Sequence, residues 1–404
     1  MATARKRFLQ TAAFALILVL LCGGVAGAKS GRAQAGHPRA KVAKAKALGV
    51  ASRCAVAARY KRVTGSRRRK QCGRPAGESA APAQPLYWGA TIGSQLTGEQ
   101  APWDMSAVSK FEGMAGKPVS LIQFFQPFSN CGSSGCKPYP FPEEPMESIR
   151  AHGSIPVLSW SSAAIPSSLD QPDFQLSDVI EGHFDSYLTE FAEEAKAWNH
   201  PFFLRFNWEM NADWMPWSEQ VNGNAPGQYV AAWRHVHDIF TAVGATNATW
   251  TWCPYVDPGG SMQDLSSLYP GGEYVDWTCL DGYNWGTNPT SPKGWRSFDQ
   301  VFSASYDEIV EKVAPDKPMM IGEMGSSEFG GSKSAWIAEA LEKIPTDYPR
   351  IRAALWFDTG ADGMDWPIET SSDATGAFAH GIQNPAFTQN SYADLPATAI
   401  QPPS

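Results

Sequence analysis

The sequence predicts one (β/α)8 barrel, a TIM barrel of the α/β class, preceded by a signal peptide and a basic low-complexity segment. Three observations carry this. From Leu86 onward, short β-rich runs alternate with runs of helical period, and the alternation continues over about 310 residues. The chain has 404 residues, 43% of them hydrophobic and 16 of them Trp, which is ample for a barrel of about 250 residues with extensions. Two of the β-rich runs turn abruptly polar at their C-terminal ends, and each carries one glutamate there, Glu209 and Glu323.

The elements follow in chain order. Arg5, Lys6 and Arg7 precede an apolar run from Ala12 to Leu21, and Ala26-Gly27-Ala28 offers the small-x-small pattern of signal-peptide cleavage, so residues 1–28 read as an export signal. The run is short for a membrane span, which leaves an uncleaved anchor as the alternative. Residues 29–83 are rich in Ala, Gly, Arg and Lys with almost no large apolar side chains, and they cannot bury enough surface to offset their ordering entropy. They read as a solvated linker, with residues 29–75 as an alternative tether to an anionic cell-envelope polymer. The barrel is assigned to residues 84–395 and a C-terminal tail to 396–404. Its eight strands are expected at 87–92, 119–125, 155–160, 202–207, 248–253, 279–284, 319–323 and 351–357. Between them Tyr229, Trp233, Val236, Phe240 and Val243 recur at helical spacing, as do Phe298, Val301, Phe302, Tyr306, Ile309 and Val313, and then Ile337, Leu341 and Ile344.

Charge divides along the chain. All 40 acidic residues lie at or beyond Glu78, against only 15 of the 33 basic ones, so that part carries a formal charge of -25. So acidic a domain repels nucleic acid and polyanions, and a neutral ligand is expected. With Cys22 removed in the leader, six cysteines remain, an even number that fits disulfides in an exported protein. Fifteen pairings are possible in principle, and Cys131 with Cys136 is the local one expected. The seven histidines are scattered, and no metal or cofactor is expected. Asp358, Asp362 and Asp365 match no ion-binding spacing and read as a solvated loop. Asn247-Ala-Thr249 is a glycosylation sequon at an expected strand start, which argues against its use.

In a barrel of this type the reacting groups stand at the C-terminal strand ends. Glu209 and Glu323 close the fourth and seventh strands, which lie nearly across the mouth from each other. Two opposed carboxyls are what glycoside hydrolysis needs, one to protonate the leaving oxygen and one to attack the anomeric carbon. The competing reading makes either Glu a structural partner of Arg205 or of a helix N-terminus. Asn207, two residues before Glu209, is expected on the same strand face, where it would bind a sugar hydroxyl. Trp217, Trp285 and Trp356 fall at or just beyond strand ends, where flat rings stack on sugar rings, although most tryptophans of a barrel belong to its core.

The segment Arg205-Phe-Asn-Trp-Glu209-Met-Asn211-Ala-Asp-Trp214-Met-Pro-Trp217 resembles the acid/base segment of glycoside hydrolase family 26, which includes endo-β-1,4-mannanases. Tyr269 to Trp277, running into Leu280-Asp-Gly-Tyr283-Asn-Trp285, is similar to the family's sixth-strand region. Ile321-Gly-Glu323-Met-Gly resembles its nucleophile strand, and Leu355-Trp356-Phe357-Asp358 its eighth. The resemblance spans about Leu86 to Asn384. It implies Glu209 as proton donor and base, Glu323 as nucleophile and Tyr283 as the latter's hydrogen-bond partner. Trp208 and Trp214 would desolvate Glu209, Arg205 would support Glu323, and Trp356 would be a sugar platform. Two positions depart from the mannanases: Trp208 and Ser161 stand where those enzymes carry His, both beside the sugar at the cleaved bond. The expected protein is thus a secreted, monomeric, retaining endo-β-glycanase of β-1,4-mannan type, with mixed-linkage β-glucan, β-xylan or an extracellular polysaccharide as alternative substrates. A non-catalytic carbohydrate-binding barrel and a wall-tethered surface protein are the alternatives of other classes.

Overall fold

The computed structural model describes residues 84–257, 259–260, 262–289, 293–360 and 363–404. The leader, the basic segment with Cys54 and Cys72, and Asp362 lie outside the described residues. Among the described residues nine strands form: β1 (Tyr87–Ile92), β2 (Leu121–Gly132), β3 (Gly135–Pro138), β4 (Ile155–Ile165), β5 (Phe202–Phe206), β6 (Ala248–Trp252), β7 (Trp277–Asn284), β8 (Met319–Ser326) and β9 (Ile351–Asp358). All but β3 pair in parallel in the order β1-β9-β8-β7-β6-β5-β4-β2, and β1 pairs β2 as well, which closes the barrel. The eight expected strands are therefore the eight staves of the barrel, with β5 fourth and β8 seventh.

Four strands, β2, β4, β8 and β9, outrun their expected ends, β2 by the most. Pro127 cannot donate to a ladder, so the β pattern of the second strand breaks off there in the sequence. In the structure β2 absorbs this with a register shift between Pro127 and Ser129 and continues into an antiparallel hairpin with β3. Cys131 stands opposite Cys136 across that hairpin and is bridged to it. A second disulfide joins Cys253, just past β6, to Cys279 in the neighbouring β7.

The helices are α1 (Met105–Ala115), α2 (Glu143–His152), α3 (Leu176–Ile180), α4 (Asp185–Trp198), α5 (Gln228–Val243), α6 (Leu265–Leu268), α7 (Phe298–Glu308), α8 (Lys333–Asp347) and α9 (Ser372–Gly381). Their apolar faces are those that the period predicts. In α5 the buried positions are Tyr229, Ala232, Trp233, Val236 and Phe240, and Gly244 at φ 81° stops the helix with its N–H on the Phe240 carbonyl. A capping box of Ser297 and Gln300 starts α7, and a π-turn over Ile309–Val313 ends it. Rings lock the shell to the barrel: Trp160 of β4 stacks on Phe191 of α4 with centroids 4.2 Å apart, and Phe240 meets Trp250 of β6 edge-on at 5.3 Å. Among the described residues, no helix is long and apolar enough to cross a membrane. Asn247 is buried, with its amide donating to the Ala195 and His200 carbonyls.

Residues 396–404, set apart in the sequence as a tail, pack against the N-terminal ends of the strands. Ile400 is buried; its N–H donates to Thr249 Oγ1 and its carbonyl accepts from Trp277 Nε1, both at 2.8 Å. Tyr87 donates to the Gln401 carbonyl at 2.9 Å, and Arg352 donates to that of Pro403. The segment seals the end of the barrel opposite the polar strand ends. Deleting residues 396–404 would expose Ile400's contact surface and leave the Trp277 N–H without its acceptor, and should lower the free energy of unfolding by about 2–4 kcal/mol. Urea unfolding of the truncated and full chains measures it, and equal midpoints would refute it.

Candidate active site

Arg205 is the centre of the polar interior. It is fully buried, and its Nη1 donates to Ser159 Oγ at 3.0 Å and to Glu323 Oε1 at 3.1 Å, while Nη2 donates to Asp281 Oδ2 at 2.5 Å and to Cys253 Sγ at 3.3 Å. With its amide oriented to satisfy both ends, Gln123 accepts from the same guanidinium and donates to the Gly322 carbonyl at 2.7 Å. Gly322 leaves the space for this packing. A Cβ there would lie 2.6 Å from Cys279 Sγ, 2.7 Å from Asp281 Oδ1 and 3.0 Å from Arg205 Cζ. Asp281 is also fully buried; desolvation raises its pKa well above the ordinary value, against the opposing pull of Arg205.

Immediately after β5 the chain bends over the mouth of the barrel. Asn207 and Glu209 both have left-handed backbones, at φ 46° and 55°. Asn tolerates this conformation, whereas Glu rarely adopts it, and such strain gathers at functional sites. The bend is held by Asn207, whose Oδ1 accepts from Ser162 N and whose Nδ2 donates to Ser162 Oγ, each at 2.8 Å, and by the Glu209 N–H donating to the Cys253 carbonyl at 2.7 Å. This corrects the expectation for Asn207. It is fully buried, does not line the cleft and has both ends of its amide engaged by Ser162, because strand alternation stops at Phe206; in this position it holds the bend.

Single carboxylate oxygens of Glu209, Asp281 and Glu323 lie within 4.8 Å of one another. The surroundings of the two glutamates differ. Trp214 Nε1 donates to Glu209 Oε2 at 2.6 Å, and burial followed by the charge of Glu323 pushes the Glu209 pKa up from 4.5 to about 8. Glu323 receives one donor on each oxygen, Arg205 on Oε1 and the Tyr283 hydroxyl on Oε2 at 2.6 Å. One carboxyl is thus kept protonated near neutral pH by its burial, while the other carries a hydrogen-bond donor on each oxygen.

Both open into a cleft at the C-terminal strand ends. Trp208, Trp214, Trp217 and Trp285 all line it. Trp208 packs on Phe125 and Trp217, at 5.2 and 4.9 Å between centroids, and Trp217 Nε1 donates to the Trp208 carbonyl at 2.7 Å. Lys293 holds its ammonium 4.4 Å from the Trp285 ring centre. Trp356 does not line the cleft. Its ring faces the outer helices, against Trp336 and Phe378, because its neighbour Phe357 takes the inward face of β9. Trp366 lines the cleft, 4.8 Å from Tyr283, and the Trp356 Nε1 donates to its carbonyl at 3.0 Å.

Asp358 and Asp365, expected in a solvated loop, are instead bonded into the protein. Asp358 is fully buried and accepts from Ile368 N at 2.8 Å, and Asp365 accepts from Glu328 N at 2.5 Å and Asn288 Nδ2 at 2.8 Å. These acceptors, with Lys333 Nζ on the Trp366 and Pro367 carbonyls at 3.2 and 2.7 Å, fix the segment that carries Trp366. Sequence reasoning missed Trp366, Tyr255 and Asp281. Only Asp281 carried a local signal, lying two residues before Tyr283 on one strand face.

The family model described as glycosyl hydrolase family 26 matches residues 151–377, which include both glutamates. Endoglucanase H of Acetivibrio thermocellus is 35% identical over 301 residues, 74% of this chain and 30% of that protein. Mannan endo-1,4-beta-mannosidase A and B of Caldalkalibacillus mannanilyticus is 28% identical over 192 residues, 44% of this chain and 33% of that protein. The chain spans about a third of the length of these curated relatives. Among solved structures, a Cellulomonas fimi endo-beta-1,4-mannanase double mutant superposes with a TM-score of 0.56 at 18% identity, over 78% of this chain and 75% of that one, a likeness of fold.

The raised pKa of Glu209 has a consequence for stability. The folded protein holds this proton up to about pH 8, whereas the unfolded chain releases it near 4.5, so folding stability falls as pH rises between those values. Glu209→Gln removes the ionisation. The variant should gain stability over the wild type progressively from pH 4.5 to 8 and hold that gain above it, in thermal melts across pH; a difference independent of pH would refute the assignment.

Proposed function

The chain belongs to glycosyl hydrolase family 26, and on that premise we propose that it is an exported, retaining endo-β-glycanase acting on a neutral β-1,4-linked polysaccharide. The observation that carries the proposal is the pair of opposed carboxyls, with oxygens within 4.8 Å and contrasting environments. Carboxyl oxygens this close fit a retaining pair, whose carboxyl groups stand roughly 5–5.5 Å apart so that one attacks the anomeric carbon directly. Export is supported by two disulfides, which persist in oxidising compartments.

In the first step Glu209 gives its proton to the glycosidic oxygen while a Glu323 oxygen attacks the anomeric carbon; the glycosidic bond breaks, the leaving sugar departs as an alcohol, and a glycosyl ester of Glu323 remains. Burial and the neighbouring negative charge prepare Glu209 for this by keeping it protonated. Forming the ester consumes the Glu323 charge. One of the two causes that raise the Glu209 pKa then disappears, so the same carboxyl becomes a readier carboxylate base for the water that hydrolyses the ester. Arg205 and Tyr283 lie on the two oxygens of Glu323, where they orient the nucleophile and follow its change of charge.

The backbone sugar has two readings. The acid/base motif supports β-1,4-mannan. We place mixed-linkage β-glucan ahead of it, for two reasons. Trp208 and Ser161 line the cleft where the mannanases carry His, so an indole wall replaces an imidazole beside the sugar at the cleaved bond. The relative named as an endoglucanase is also the more identical of the two, over the larger share of the chain. Reducing-sugar release from lichenan, mannan and xylan separates them: lichenan should be cleaved at least tenfold faster than mannan, and the reverse order would restore mannan.

The roles are tested by chemical rescue. Glu323→Ala should lose at least four orders of magnitude in kcat on every glycoside, and azide should restore activity by entering the vacated space, giving a glycosyl azide of inverted configuration. Glu209→Ala should retain the glycosylation step on substrates with a good aryl leaving group and, with azide, yield a glycosyl azide of retained configuration. Equal losses in both variants on all substrates, with no response to azide, would overturn the assignment.

A further inference from the structure

We propose that Tyr255 is a substrate-contacting residue, its hydroxyl donating a hydrogen bond to a hydroxyl of the sugar unit seated between Glu209 and Glu323. The proposal rests on the glycoside-hydrolase reading of this site and adds a contact that neither glutamate supplies. Tyr255 lies three residues beyond β6, where its backbone bridges to Asp281 and extends the ladder beside Arg205's partner. Asn211 holds that backbone at two points: its Oδ1 accepts from Tyr255 N and its Nδ2 donates to the Tyr255 carbonyl, both at 2.8 Å. The ring is placed with equal care. Trp214, which binds Glu209, meets it edge-on at 5.0 Å, and Tyr283, which binds Glu323, lies nearly parallel to it at 6.5 Å. Tyr255 therefore forms the stretch of cleft wall that joins the supports of the two carboxyls.

The hydroxyl accepts from Trp285 Nε1 at 2.9 Å, and no described residue accepts from it. Tyr255 is only 9% exposed, so what exposure it keeps is toward the cleft it lines. A buried hydroxyl hydrogen without an acceptor is destabilising, and a Phe would make the same ring contacts without that cost. Burial and the charge of Glu209 raise the phenol's pKa, which keeps the proton on the oxygen throughout the working range of a carboxyl pair. A substrate hydroxyl between the glutamates is the acceptor this arrangement fits, and a site built to bond a hydroxyl rejects sugars that lack it.

The test is Tyr255→Phe, assayed on an aryl β-cellobioside or β-mannobioside, whichever the wild type hydrolyses, and on analogues lacking one hydroxyl each on the sugar that bears the aryl group. The variant's kcat/KM on the parent substrate should fall by about 5- to 50-fold. One deoxy analogue should lose a similar factor with the wild type and nothing further with the variant. Trp285→Phe, which keeps the phenol, should retain the wild type's discrimination against that analogue. Unchanged kcat/KM in Tyr255→Phe would overturn the proposal, as would an equal loss on the parent and every deoxy analogue, which would make the hydroxyl a mere anchor for Trp285. A wild type that turns over no glycoside would sink the glycoside-hydrolase reading itself, a different failure.

Discussion

The buried Arg205 guanidinium is the interaction on which the rest of this site depends. It stands on β5, bonded to Asp281 of β7 and Glu323 of β8, so one cation ties together three of the eight staves. Removing an ion from water is expensive, and such a group persists only where its partners are close and well oriented. The demands then spread outward. Gly322 must lack a side chain, Ser159 and Gln123 must supply polar atoms on β4 and β2, and the Cys253–Cys279 bridge fills the space beneath. The barrel interior below the mouth is therefore organised around charge where packed apolar layers would otherwise serve.

The same burial divides the labour between the two glutamates. Both lose water, but only Glu323 receives a cation and a phenol in exchange, while Glu209 receives a single indole N–H. Identical side chains at similar depth thus meet different surroundings, because the compensation is distributed unevenly between them, and Glu209 is the one whose proton is held on by burial. Asp281 takes part in this balance without lining the cleft, by sharing Arg205 with Glu323.

Much of this was legible in the sequence, and the limits have physical causes. Strands are read from local apolar runs, so the first was placed at its observed residues, 87–92, and the abrupt polarity after Phe206 revealed Glu209. Pro127 hid the end of β2, and the exposed, glycine-bounded β3 had no apolar pattern to show. Residues 396–404 hold one large apolar residue among prolines and small residues, which reads as a tail; only tertiary contact to Thr249 and Trp277 makes them part of the barrel. Asn207 was misplaced because alternation was extended one residue past the strand. Trp366 and Tyr255 lie on loops whose direction is set by partners distant in sequence, Lys333 and Trp356 for one, Asn211 and Trp285 for the other.

Those loop partners share a design. Trp214, Trp217 and Trp285 each bond their indole N–H to the protein, on Glu209, the Trp208 carbonyl and the Tyr255 hydroxyl. An indole so anchored cannot turn, and it presents a fixed face or edge to the cleft. Trp366 has the complementary arrangement, its backbone held by the Trp356 N–H and the Lys333 ammonium. Trp356, which resemblance suggested as a platform, thus acts one layer back, on the residue that lines the cleft. A wall whose rings are fixed in advance loses little freedom when a sugar arrives, so more of the contact energy remains to hold that sugar against two carboxyls that are themselves immobile.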